Sequence, residues 1–233
     1  LPLPDADSRA ISDALLKKLQ RLIAEHDGCL PFEIYMEMAL YEPGLGYYSN
    51  GLMPFGEGGD FVTAPESGAL FGRCLARCIA SVLNQVVNGV VLELGAGSGA
   101  LARTVLEELQ SLNALPQRYY ILERSGVMRK LQEEALKDVP ELAQLVEWLE
   151  ELPEQPFNGV VFGNEVADAL PVSRFNWCDG QVKAVGVAAV DEDLSLCERA
   201  AAEDMDNVVQ KLSRDSGWQG GYRSEYCPSL AAW

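Results

Sequence analysis

Residues 90–99, VVLELGAGSG, constrain this chain more than any other stretch. Three apolar residues (Val90, Val91, Leu92) lead to an acid, Glu93, and the run then breaks into Gly95, Gly97 and Gly99. Leu101, Val105, Leu106, Leu109 and Leu112 follow at helical spacing. Strand, glycine turn and helix in immediate succession bring backbone N–H groups and a helix N-terminus up to a ligand. Glycine suits the turn because a Cβ would block both close approach and positive φ. The segment predicts a nucleotide-type cofactor site.

Two features bear on which cofactor. The spacing Gly95, Gly97, Ala100 also fits the dinucleotide fingerprint, but Glu93 stands where a pyrophosphate binder usually keeps an apolar residue. A carboxylate repels phosphate, whereas it tolerates the sulfonium and ammonium groups of S-adenosylmethionine (SAM). The second feature is Tyr119-Tyr120-Ile121-Leu122-Glu123, an apolar strand whose closing acid lies 24 residues past Gly99. That is roughly where a second-strand carboxylate grips ribose hydroxyls. A SAM site is the expectation; a dinucleotide site, and a glycine turn with no ligand, are the alternatives.

Around this core the periodicity predicts helices over 8–25, 32–40, 67–83, 100–112, 126–137 and 203–213. Pro31 stands before the second, as befits proline at a helix start. The buried stripe of the 67–83 helix is read as Leu70, Phe71, Cys74, Leu75, Cys78, Ile79, Val82 and Leu83. Strands are expected at 90–94, 119–123, 145–149 and 159–163, the last (GVVFG) apolar enough to be central. Strands alternating with helices build a parallel sheet. Residues 172–178 and 181–190 flank Asp179-Gly180, a hairpin signal, and the tail 217–233 reads as irregular. Residues 41–66, rich in Gly, Pro and aromatics, predict a long loop that is either mobile or shapes a substrate channel. The organisation expected is an N-terminal helical and loop segment (1–88), a cofactor core (89–171) and a hairpin-and-helix appendage (172–233).

A second constellation, GNEVADALP (163–171), follows the fourth parallel strand. The carboxyl ends of adjacent central strands face one crevice, so Asn164, Glu165 and Asp168 are expected near the glycine turn. There an amide and carboxylates can orient and partly neutralise a cationic nucleophile. The alternative is that Asn164 caps a helix whose first turn carries Glu165 and Asp168.

Composition narrows the partners. The formal charge of −17, with a pI near 4.4, argues against nucleic acid, whose phosphates need a basic surface. It suits a cationic acceptor, such as a protein bearing arginine or lysine, and equally a merely soluble acidic surface. The six cysteines show no CxxC spacing, and Cys74 and Cys78, one helical turn apart, read as core residues rather than ligands. With His26 alone, no His-rich metal site and no Ser-His-Asp triad is expected. Reduced cysteines fit the cytoplasm, no apolar run reaches membrane-spanning length, and LPLPDADSR resembles neither a signal nor a transit peptide. The start lacks an initiator Met, which predicts a processed chain or a cloned segment.

PFEIYMEMALYEPGLGYYS (31–49), GDFVTAPE (59–66), FG (71–72), LELGAGSG (92–99), YYILERS (119–125) and GNEVADALPV (163–172) together resemble the MidA-like family of SAM-dependent methyltransferases. The resemblance implies a class I methyltransferase (Rossmann-like) α/β fold with SAM as methyl donor. Mitochondrial relatives methylate arginine on a respiratory complex I subunit during assembly. By motif it makes Glu93, Gly95, Gly97, Gly99 and Glu123 cofactor residues. Thr63, Pro65 and Glu66 become their neighbours, and Asn164, Glu165 and Asp168 acceptor-pocket residues. Cys227-Pro228 stands where the family is expected to have Asn-Pro, and the family continues well past 224–228. The sheet is therefore expected to be incomplete at its C-terminal end, with GVVFG left as an edge prone to self-association. The expected activity is methyl transfer to a protein arginine; a nicotinamide- or flavin-dependent oxidoreductase and a non-catalytic SAM-binding assembly factor are the rivals.

Overall fold

Val90–Leu94 is buried over its first four residues, as a strand covered on both faces must be, and the architecture is built outward from it. The computed structural model describes residues 4–51, 68–191 and 193–230. Its helices are α1 (Ala6–Glu25), α2 (Phe32–Tyr41), α3 (Ala69–Leu83), α4 (Ala100–Ser111), α5 (Gly126–Leu136), α6 (Pro140–Ala143) and α7 (Glu203–Ser216). Its strands are β1 (Leu30–Pro31), β2 (Val90–Leu94), β3 (Arg118–Leu122), β4 (Val146–Leu149) and β5 (Gly159–Gly163), then β6 (Ser173–Cys178), β7 (Gln181–Val190), β8 (Asp193–Ala200) and β9 (Tyr222–Tyr226). They fall into two units, 51–166 and 1–50 with 167–233. The three segments expected from the sequence thus meet a two-unit division, in which α3 joins the cofactor core and both chain ends share the other unit.

The 51–166 unit carries a four-stranded parallel sheet in the order β4-β3-β2-β5, the Rossmann-like arrangement. Register sets Leu94 beside both Leu122 and Gly163, so the carboxyl ends of β2, β3 and β5 lie level. Val91, Tyr119 and Ile121 pack in one core cluster with Leu101, Val105, Leu106 and Leu109 of α4. Each such fully buried side chain is worth about 1.5–3 kcal/mol over exposure. Helix α3 packs on α4 through a glycine: a Cβ on Gly72 would sit 2.7 Å from the Thr104 side chain.

The stripe expected on α3 holds only in part: Ile79 and Leu83 are buried and Leu75 packs against the core. The buried face of α3 is Gly72, Ala76, Ile79, Ala80 and Leu83, whereas Leu70, Phe71, Cys74, Cys78 and Val82 are exposed. The close approach to α4 is made at Gly72. Strand β5, apolar enough to be central, stands at the edge of the described sheet order, the other position expected of it, and Val161 is 55% exposed.

The other unit is antiparallel, with order β1-β7-β6-β9 and β8 also on β7. Helix α1 opens on Asp5, whose carboxylate accepts the Ser8 N–H at 2.7 Å. Its Leu19 and Ile23 pack with Leu30, Met38 and Val187. The hairpin signal is well founded: Asp179 and Gly180 both take positive φ (50° and 80°) between β6 and β7. The tail is not irregular, because β9 pairs with β6 along Ser173↔Tyr226 to Trp177↔Tyr222. Strand β8, unanticipated, pairs with β7 from Lys183 to Val190. Of the loop expected over 41–66, Tyr41 closes α2, residues 52–66 lie outside the described residues, and 42–51 remain as a described segment. The Tyr47 and Tyr48 N–H groups donate to the carbonyls of Ala39 and Leu40, folding the segment back onto α2.

The cysteines also depart from expectation. Cys29 and Cys197 form a disulfide, with Cα atoms 6.3 Å apart, inside this second unit. Sequence spacing carried no trace of a pair separated by 168 residues. These two cysteines are therefore not the reduced thiols expected of a cytoplasmic protein. Among the described residues, no helix is long and apolar enough to cross a membrane.

Candidate cofactor and acceptor site

The glycine turn takes the form its sequence demands. Gly95, Gly97 and Gly99 have φ of 60°, 55° and 87°, a region L-residues avoid. Space is short as well: a Cβ on Gly99 would lie 2.9 Å from the Gln132 backbone, and one on Gly95 3.2 Å from the Val166 side chain. The turn leads into α4 with Gly99 at its N-cap, and Ser98 Oγ accepts the Ala100 N–H at 3.3 Å.

Glu93, the next-to-last residue of β2, is buried. It is 2% exposed, and its Oε2 accepts the Tyr119 hydroxyl at 2.6 Å. Burial pushes its carboxyl up to about 7, opposed by that hydrogen bond. Burial and the neighbouring acid together raise the Tyr119 phenol well above its ordinary range. Glu93 is thus one half of a buried acid–phenol pair two residues before the turn.

Glu123, just past β3, is held from two sides. Oε1 accepts the Ser125 N–H at 2.8 Å and Oε2 accepts the Gln132 amide at 3.0 Å. Burial raises its carboxyl, and these donors with the Arg124 N–H oppose the rise. A carboxylate oxygen has two lone pairs, so each retains acceptor capacity toward ribose hydroxyls. Gln132 also donates to the Gly97 carbonyl at 3.1 Å, tying the turn to the acid.

Asn164 and Glu165 follow β5, and register brings this segment beside the residues after Leu94. Val166 touches the place a Gly95 Cβ would occupy. Glu165 holds a φ of 51°, rare for a side chain of its size. The helix-cap alternative fails: only the three-residue 3-10 turn Ala167–Ala169 follows, not an α-helix. Asp168 belongs to the other unit. There Tyr48, stacked on Tyr41 at 5.7 Å, has its phenol raised by burial and by the Asp168 charge, and the Tyr41 hydroxyl donates to the Ala169 carbonyl at 2.8 Å. Thr63, Pro65 and Glu66 lie outside the described residues.

Sequence reasoning passed over Tyr119 and Gln132. Gln132 had a signal: Met128, Gln132 and Leu136 are one helical stripe, all buried, so an amide stands in an apolar row. Among the described residues, no three His, Cys, Asp or Glu gather as a metal site would.

The sheet order and turn define a Rossmann-like cofactor-binding unit. Residues 74–233 match the family described as "Putative S-adenosyl-L-methionine-dependent methyltransferase". A crystal structure from Burkholderia thailandensis bound to S-adenosyl-homocysteine superposes with a TM-score of 0.88 at 39% identity, covering 100% of this chain and 60% of that one. "Protein arginine methyltransferase NDUFAF7 homolog, mitochondrial" of Drosophila melanogaster is 31% identical over 216 residues, 82% of this chain and 48% of the fly protein. Its Caenorhabditis elegans counterpart is 28% identical over 164 residues, 61% of this chain and 38% of the worm protein. The chain thus spans at most about half the length of these two curated relatives. It belongs to the MidA-like family of SAM-dependent methyltransferases. That membership sets aside the oxidoreductase reading.

Proposed function

We propose that this protein binds SAM at the 95–99 turn with Glu123 on the ribose hydroxyls, and serves methyl transfer to a protein arginine. The observation that carries the reading is the joined turn and acid: three positive-φ glycines, with the Gly97 carbonyl and the Glu123 carboxylate held by one buried amide. Such a turn admits a ligand close to backbone, and an acid after the second strand suits a ribose diol. The name of the fly relative supports arginine as acceptor.

SAM supplies an electrophilic methyl group on a sulfonium. The remaining tasks fall to this chain. Guanidinium keeps its proton at neutral pH, so the attacking nitrogen needs a carboxylate to orient it and to accept its proton. Glu165 fits that task, with Asn164 as a neutral partner. The net charge of −17 favours approach of a basic segment. Catalysis of this kind rests on positioning and electrostatics.

Calorimetric titration with S-adenosyl-homocysteine tests the cofactor half. A charge-assisted hydrogen bond is worth roughly 1.5–3 kcal/mol, so Glu123→Ala should weaken binding about 10- to 150-fold. Equal affinity in the two proteins, or tight binding of NAD instead, overturns the assignment.

A further inference from the structure

Gln132 is an uncharged polar side chain with no exposed surface, on a helical stripe otherwise filled by Met128 and Leu136. Burying an amide there is costly unless its hydrogen bonds are made, and three are. Nε2 donates to the Gly97 carbonyl at 3.1 Å and to Glu123 Oε2 at 3.0 Å, while Oε1 accepts the Trp148 indole N–H at 2.8 Å. An indole nitrogen can only donate. Trp148 therefore dictates which end of the amide is oxygen and turns both N–H groups toward the turn and the acid. Trp148 is itself capped by the Arg129 guanidinium, 5.5 Å from its ring centroid. The backbone presses in as well, since a Gly99 Cβ would meet the Gln132 Cα at 2.9 Å.

We infer that Gln132, with its amide oriented by Trp148, is a positioning residue for the cofactor: it sets the Glu123 carboxylate and the Gly97 carbonyl at a fixed separation, so recognition of the ribose hydroxyls depends on it. The inference rests on the reading of Glu123 as the ribose acid. A single amide does what two independent contacts would otherwise have to do. Loss of its donor leaves Glu123 held only by backbone N–H groups and frees the turn from the second strand. An apolar isostere could still fill the space, so packing and positioning are separable.

The test titrates the full chain with S-adenosyl-homocysteine and with its 2′,3′-dideoxyribose analogue, reading the ratio of the two affinities. Four proteins are compared: wild type, Glu123→Gln, Gln132→Met and Trp148→Phe. Wild type prefers the hydroxylated ligand, and Glu123→Gln removes that preference. Gln132→Met loses about tenfold in S-adenosyl-homocysteine affinity and most of the preference, although Glu123 is intact. Trp148→Phe loses about threefold in the same direction, because the amide is then free to turn. Gln132→Met placed on Glu123→Gln adds little further loss, since the two act as one unit. Loss of preference in Glu123→Gln together with a wild-type ratio in Gln132→Met overturns the positioning role alone, even where the melting temperature falls. A wild-type ratio in Glu123→Gln overturns the ribose reading and the positioning role with it. Should Gln132→Met fail to fold, folded Trp148→Phe decides: an unchanged ratio overturns the proposal.

Discussion

Glu93→Gln isolates a strongly perturbed carboxyl of the cofactor unit. Burial lifts its carboxyl from the ordinary 4.5 to about 7. The folded value lies above the unfolded one, so the folded state holds the proton more tightly. The stability contributed by this group is fully present below about pH 4.5 and is lost as pH rises toward 7, after which the loss is constant. At 1.36 kcal/mol per pKa unit the whole loss is about 3 kcal/mol, and most of it, about 2–3 kcal/mol, falls between pH 5 and 8. Glutamine keeps the size and an oxygen for the Tyr119 hydroxyl, yet cannot ionise. Its amide N–H groups enter a place built for an acid, which adds a pH-independent cost of about 1–3 kcal/mol. The informative quantity is therefore the change with pH. Urea denaturation of both proteins at pH 5 and pH 8 should show the stability of wild type relative to variant falling by about 2–3 kcal/mol across that interval. A difference that stays constant refutes the reasoning, because it means Glu93 does not titrate with a raised value in the folded protein.

Tyr119→Phe removes the hydroxyl that donates to the Glu93 carboxylate. It should cost about 1–3 kcal/mol, more at pH 8 than at pH 5, in the same urea titrations. Glu165→Gly relieves a φ of 51°. Melting should show stability unchanged or raised by about 1 kcal/mol, while methyl transfer falls steeply; transfer at the wild-type rate would remove Glu165 from the acceptor site. Replacing Cys29 and Cys197 by serine frees a link spanning 168 residues. The loss expected is about 2–5 kcal/mol, read as a lower melting temperature and reproduced in the wild type by a thiol reductant.

The cofactor unit was legible because its information is local. A strand of Val90 to Leu94, a turn that only glycine enters easily, and a helix with leucines at fixed spacing each declare themselves within a dozen residues. The carboxyl edge of the sheet followed from the order of βα units, and register set Glu123, Asn164 and Glu165 after its strands. Part of what was illegible depends on partners far away in the chain. The pairing of β9 with β6 and the bond between Cys29 and Cys197 are contacts that no local pattern encodes. The β7–β8 hairpin, by contrast, is local and was missed because its turn carries no Asn-Gly or Asp-Gly signal. Helix α3 misled for another reason. Its large apolar residues outnumber the small ones, but the close approach to α4 requires Gly72, and the face buried with it leaves Leu70 and Phe71 exposed. Glu93 was rightly singled out as unusual for its place. Its burial against Tyr119 became visible only once β2 and β3 were in register, with Val91 beside Tyr119.

The most direct test of the account is methyl transfer itself. The protein is incubated with SAM labelled in its methyl group and an extract of its own organism, and labelled proteins are digested and analysed for methylated arginine. The account predicts label in arginine of one or a few proteins, abolished by excess S-adenosyl-homocysteine and strongly reduced in Glu123→Ala and Glu165→Gln. Binding of S-adenosyl-homocysteine with no label in any protein would contradict it and favour a cofactor-binding assembly factor. Label on residues other than arginine would contradict the acceptor assignment while leaving the cofactor site in place.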